Sequence, residues 1–119
     1  MIRARDSICI TCDQPHEVMD CGHFRRRELM ATRFHPMNLN AQGVKENRFE
    51  GGRTFEYGIA IDKKYGTGWS AFLNELSKKI EPWTTTELQQ LRAAARMGSA
   101  VYITLYRELR PHHFYPSKL

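Results

Sequence analysis

Two cysteines separated by two residues, Cys9 and Cys12, constrain this chain more than any other feature. One turn carrying such a pair can chelate a single Zn²⁺, and a structural site needs four ligands. The nearest further donors are His16 and Cys21. The other reading of the pair is two small thiols half-buried in a turn, and spacing alone leaves both open. Three cysteines is an odd number, and the opening MIRARDSICI lacks the long apolar stretch of an export signal. Free thiols or metal ligands in a reducing cytoplasm are therefore expected, and a secreted disulfide scaffold is not.

The 119 residues suit one domain spanning 1–119. Its character changes near Gly51-Gly52. Residues 7–50 are irregular and hold all three cysteines and three of the five histidines; residues 53–110 read as helices; 111–119 read as a surface tail whose Phe114 and Tyr115 can dock on the body or on a second subunit. Hydrophobic residues at 41% and charged residues at 26% describe an ordinary globular chain. No apolar run approaches the ~20 residues of a membrane span, so no membrane partner is expected. The formal charge of +5 permits a polyanion partner without requiring one.

The helical half is punctuated clearly. A helix over Thr54–Tyr65 would present Phe55 and Ile59 to the core, with Gly66 as its stop. Over 69–80, Trp69, Phe72, Leu73, Leu76 and Ile80 form an apolar stripe, and Pro82 blocks continuation. Thr84 and Glu87 form a capping box for a last helix running to Arg110, with Gly98-Ser99 as its weak point and Pro111 as its end. In the first half, 16–24 reads as a strand, 33–36 as the strand returning beside it, and 38–49 as a short helix. The fold class expected is α+β: a ββα core followed by a mainly helical half.

Three groups of residues can carry chemistry. Asp20, His23, Asn38 and Asn47 combine a histidine suited to general-base work with oxygen donors of the kind Mg²⁺ accepts. Asn38 can hold the imidazole or pin the loop. The bland alternative is a turn acid beside an exposed histidine. Second, residues 25–53 carry seven cations, among them Arg25, Arg26, Arg27, Arg33 and Arg48, against three acids. Guanidinium forks fit phosphates well, although a solvated basic loop has the same composition. The cysteine pair is the third group.

Taken together, Cys9-x-x-Cys12, Asp20-x-Gly22-His23-Phe24-x-x-Arg27, Arg33-Phe34-x-x-x-Asn38-x-x-x-Gln42, Asn47 and Gly51 resemble the phage recombination family NinG/Rap, over residues 3–109. Tyr57, Gly66 and the Trp83-Thr84 helix start continue the likeness. The resemblance implies a structure-specific DNA endonuclease with an HNH-like, ββα-metal site, acting on Holliday junctions or D-loops. It implies His23 as the general base, Asn38 at the middle position of the motif, Asn47 and Asp20 on the metal side, and Mg²⁺ or Mn²⁺ as the catalytic ion. The arginines would hold flanking phosphates. A homodimer built from the C-terminal helices would suit a substrate with two equivalent strands. A DNA-binding protein that has lost catalysis is the alternative.

One departure bears on zinc. The family's second Cys-x-x-Cys falls here at Gly43 and Glu46, and a nearby family histidine is Asn40. Glu46 can substitute beside Cys9 and Cys12, or Cys21 can be recruited with His16, or zinc is lost and helix packing holds the fold. An incomplete zinc site is the expectation, because a carboxylate and two thiols leave the shell one ligand short.

Overall fold

The computed structural model describes residues 1–114. The chain opens with one helical turn, α1 (Ile2–Arg5), then a cysteine-bearing loop, then strand β1 (Met19–His23). A second short turn, α2 (Met30–Arg33), leads to strand β2 (Leu39–Gly43). The strands pair antiparallel, with Met19 opposite Gly43 and His23 opposite Leu39. This hairpin is the one sheet among the described residues, so the molecule is α+β with helix predominating.

The returning strand is thus not at 33–36. Arg33 ends α2, and two further turns follow, from the His35 amide to the Thr32 carbonyl and from the Asn38 amide to the His35 carbonyl. The expected helix over 38–49 shrinks to a π-helical turn, Lys45–Phe49, because 39–43 is strand. All five residues of β2 are buried, two of them the amides Asn40 and Gln42. Burial on both faces removes the polar alternation by which a half-exposed strand is recognised.

The outer edge of β2 is covered by the N-terminal segment. The Ala41 amide donates to Asp6 Oδ2 at 3.0 Å, the Ala41 carbonyl accepts from the Ile10 amide at 3.0 Å, and Arg5 donates to the Leu39 carbonyl at 2.8 Å. Edge backbone groups that would otherwise seek another chain are satisfied within this one.

Beyond Gly51 and Gly52, both at positive φ, come α3 (Thr54–Tyr65), α4 (Trp69–Ser77), α5 (Thr85–Met97) and α6 (Ser99–Leu109). The Thr84–Glu87 capping box forms in both directions. The long last helix breaks at Gly98, whose φ of 122° suits glycine alone. Arg110, just past α6, meets Glu87 in the first turn of α5 at 2.7 Å, so the two helices double back on each other.

The core gathers Phe24, Tyr57, Ile61, Trp69, Leu73, Leu91, Ala94, Tyr102, Tyr106 and Phe114. Phe55 and Ile59 do not face it: they are 78% and 58% exposed, and Tyr57 and Ile61 take the buried stripe of α3. Ile80 is 95% exposed because α4 ends at Ser77. Of the expected tail, residues 111–114 turn inward, with Phe114 docked on the body. Pro111–His113 forms a 3₁₀ turn and Phe114 packs into the core; Tyr115 lies outside the described residues. His35, wholly buried against Trp69, Tyr106 and Phe114, donates from Nε2 to the His113 carbonyl at 2.7 Å. Burial pushes its pKa down to about 3 and keeps the ring neutral. No helix among the described residues is long and apolar enough to cross a membrane.

Candidate functional site

The cysteine loop makes a tight turn, with the Asp13 amide on the Cys9 carbonyl at 2.9 Å and Asp13 at a φ of 58°. That turn points both thiols toward the far end of β2, where the π-helical turn begins. Cys9, Cys12, His16 and Glu46 converge there, each offering one ligand atom, with all four atoms within 4.8 Å of one another. Cys12 Sγ lies 3.0 Å from His16 Nε2, and the Gly43 amide donates to Cys9 Sγ at 3.2 Å.

The expected shortfall of one ligand does not arise, because His16 joins Glu46 instead of replacing it. Cys21, the other local candidate, is not part of the cluster. Two thiols, an imidazole and a carboxylate make a tetrahedral zinc donor set, whose donors sit about 3 to 4 Å apart around the ion.

Three observations test the fit. Glu46 is buried, and its Oε2 has no hydrogen-bond partner. A side chain at Gly43 would collide with that same Oε2 and come within 3.2 Å of His16 Nε2, so the glycine leaves open the space where the two donors meet. Finally, the thiols differ. Burial pushes Cys9 up, but hydrogen bonds from Thr11, Gly43 and Cys12 outweigh it and hold Cys9 below the ordinary thiol range. Cys12 is raised by burial, by its hydrogen bond with Cys9, and by the charges of Cys9 and Glu46. A divalent ion held there would relieve that mutual repulsion and partner the orphaned oxygen.

The nuclease-like residues lie on the adjoining hairpin. Asp20 and Asn47 are together: Asn47 Nδ2 donates to Asp20 Oδ2 at 2.9 Å. Arg48 grips the same carboxylate with both nitrogens, at 2.8 and 2.9 Å. Those hydrogen bonds, Arg48 first and then Asn47, hold Asp20 below the usual carboxylate range. Both oxygens of Asp20 are therefore taken, and the pair as arranged does not offer Mg²⁺ an open carboxylate.

His23 ends β1, three residues from Asp20, which in an extended strand is roughly 10 Å and the opposite face. Asn47 is thus held beside Asp20, near the start of β1, and His23 lies at the other end of the strand. His23 itself is half-buried. Burial lowers its pKa; a hydrogen bond with the Arg33 main chain opposes this, and the charges of Arg33 and Arg27 add to the lowering.

Asn38 is wholly buried and acts as the loop's pin. Its Oδ1 accepts from the Arg25 amide at 2.7 Å, while Nδ2 donates to the carbonyls of Thr32 and Arg25 at 3.1 and 3.3 Å. The loop so fixed displays Arg26 and Arg27 to solvent. Arg25 lies over the Phe24 ring at 5.8 Å, and its Nε is buried without a hydrogen-bond partner. Arg33 lies over Phe34 at 5.3 Å.

A buried polar hub behind the site was not foreseen from sequence. Asn40 Oδ1 accepts from Arg5, Lys64 and Tyr65 at 3.1, 2.9 and 2.6 Å, and Asp6 accepts from Arg5, Lys64 and the Ala41 amide. Tyr57 donates to the Gly22 carbonyl at 2.8 Å. These bonds bolt α3 to the hairpin. An acid directly after an arginine, near the N-terminus, gives no signal of such a role.

No family model, curated protein or solved structure matches this chain; its function has to be read from the arrangement of its own residues.

Proposed function

We propose that this chain is a zinc-braced, NinG/Rap-like recombination protein that binds branched DNA and cuts it by phosphodiester hydrolysis. The observation that carries the reading is the setting of His23: a half-buried imidazole, held neutral, beside a loop of arginines pinned by Asn38. A neutral imidazole among guanidinium groups has both parts of the task. The arginines bind phosphates flanking the scissile bond, which fixes register without reading base edges. His23 takes the proton from the attacking water. Arg25, with its buried unpartnered Nε, is the arginine placed nearest in sequence to that step. Zinc, on Cys9, Cys12, His16 and Glu46, braces the hairpin and takes no part in the chemistry.

The expected Mg²⁺ or Mn²⁺ would supply charge stabilisation at the phosphate and leaving oxygen. Asp20 and Asn47 do not fit it while Arg48 holds the carboxylate, and no step is assigned to it. That same closure favours a second reading, a junction-binding protein without nuclease activity. Both readings include a dimer, as a substrate with two equivalent strands suits a pair of subunits.

One experiment separates them. Labelled four-way junction and matched linear duplex are incubated with the protein and with His23→Ala, in Mg²⁺, Mn²⁺ or EDTA. Nuclease function predicts nicked junction from the unsubstituted chain, and retardation without nicking from His23→Ala. Cleavage should persist to below pH 6.5, since the base stays neutral there, and fade on further acidification. Retardation with no product in any ion selects the second reading. No retardation even at low salt sinks both and leaves a protein-binding adaptor.

A further inference from the structure

A second cluster of donors lies in the helical half, away from the cysteine loop. The segment after α4 and the turn after α6 meet at Glu81. Glu81 Oε1 lies 2.7 Å from His112 Nε2, and Oε2 lies 3.1 Å from His113 Nε2. The ligand atoms of all three residues fall within 4.8 Å of one another.

Each residue is placed as a ligand would be. His113 is fully buried, and its other nitrogen, Nδ1, is 2.8 Å from the Tyr106 hydroxyl. An imidazole that binds a metal through one nitrogen is oriented in this way through the other. His112 is 57% exposed on its side chain and Glu81 is 22%, so the outer side of the cluster opens to solvent. Arg110 Nε stands 3.9 Å from Glu81, but its guanidinium is engaged by Glu87 at 2.7 Å and lies over the Trp83 ring at 4.1 Å. Its charge is answered elsewhere.

We propose that Glu81, His112 and His113 form a second metal site, for a borderline divalent ion of the zinc class held by two imidazoles and one carboxylate. Imidazole ligands select zinc, copper or nickel over Mg²⁺ and Ca²⁺. The ion ties the C-terminal turn to the α4–α5 connection. That turn carries Phe114 into the core and presents the His113 carbonyl to His35, so closing it secures the packing around both. The inference is independent of any action on DNA.

The test is a metal count on the full chain. Chelated protein is titrated with Zn²⁺, and in parallel with Co²⁺, beside His112→Ala and Glu81→Gln, whose altered side chains reach the surface. The unsubstituted chain should take two ions and each variant one. With Co²⁺, thiolate-to-metal absorption should accompany one ion of the pair, and should survive in both variants. With both Cys9 and Cys12 replaced by serine, the ion that remains should lack that absorption. Zn²⁺ beyond the first equivalent should raise Tm in the unsubstituted chain and not in the variants. Variants that bind as many ions as the unsubstituted chain would overturn the proposal, whatever the cysteine loop holds.

Discussion

The two halves of this molecule solve the problem of burial in different ways. The helical half buries aromatic and aliphatic side chains: Tyr57, Ile61, Trp69, Leu73, Leu91, Tyr102, Tyr106 and Phe114 meet in one cluster. The hairpin half buries Asn38, Asn40, Gln42, Asp6 and Glu46; Asn38, Asn40 and Asp6 are held by directional bonds, while Gln42 Oε1 and Glu46 Oε2 are left without a partner. Apolar packing spreads its support over many weak contacts, whereas a polar interior concentrates it in a few directional bonds. The hairpin should therefore fail abruptly when one partner is removed, and the helices should lose stability in proportion to what is deleted.

Chelation is the harshest test of that contrast. With zinc on Cys9, Cys12, His16 and Glu46, its removal should unravel the hairpin while helical circular dichroism largely persists; structural zinc supplies on the order of 10 kcal/mol in small domains. Amide exchange at 39–43 against 85–109 would show the split, and equal loss in both halves would erase it. Next comes Asp6→Asn, which removes the charge shared by Arg5, Lys64 and the Ala41 amide. Breaking a buried ion pair costs about 3 to 5 kcal/mol, and urea unfolding should register it. Asp6 is held below the usual carboxylate range because Arg5, the Ala41 amide and Lys64 outweigh its burial, so the same loss should appear in the parent chain as acid protonates it. Leu73→Ala, in the wholly buried stripe of α4, should cost about 2 to 4 kcal/mol and leave zinc affinity unchanged. A fall in zinc affinity with Leu73→Ala would mean that the halves are one cooperative unit.

What the sequence disclosed follows the same division. The ends at Gly66, the Thr84–Glu87 box, Gly98 and Pro111 were legible because each acts locally through backbone geometry, whereas α4 stops at Ser77, well before Pro82. Which face of α3 is buried was not. Phe55 and Ile59 lie two residues out of step with Tyr57 and Ile61, about 200° around the helix, and periodicity cannot choose between two stripes of equal spacing. The choice falls to Tyr57, whose hydroxyl finds the Gly22 carbonyl across the chain. Strand β2 was missed because Asn40 and Gln42 look like surface residues until their distant partners are known. In the candidate site, Cys9 and Cys12 announced themselves by spacing. The simultaneous use of His16 and Glu46 depends on how the loop and the end of β2 approach each other, which no local rule encodes.

Gly43 leads to one last consequence. A cysteine placed there would drive its Cβ into the carboxylate of Glu46, which would have to swing aside. A thiol at position 43 therefore competes with Glu46 for the same space, and adding it without also replacing residue 46 should weaken the grip on the ion. A residue without a side chain decides which chemistry its neighbours are able to offer.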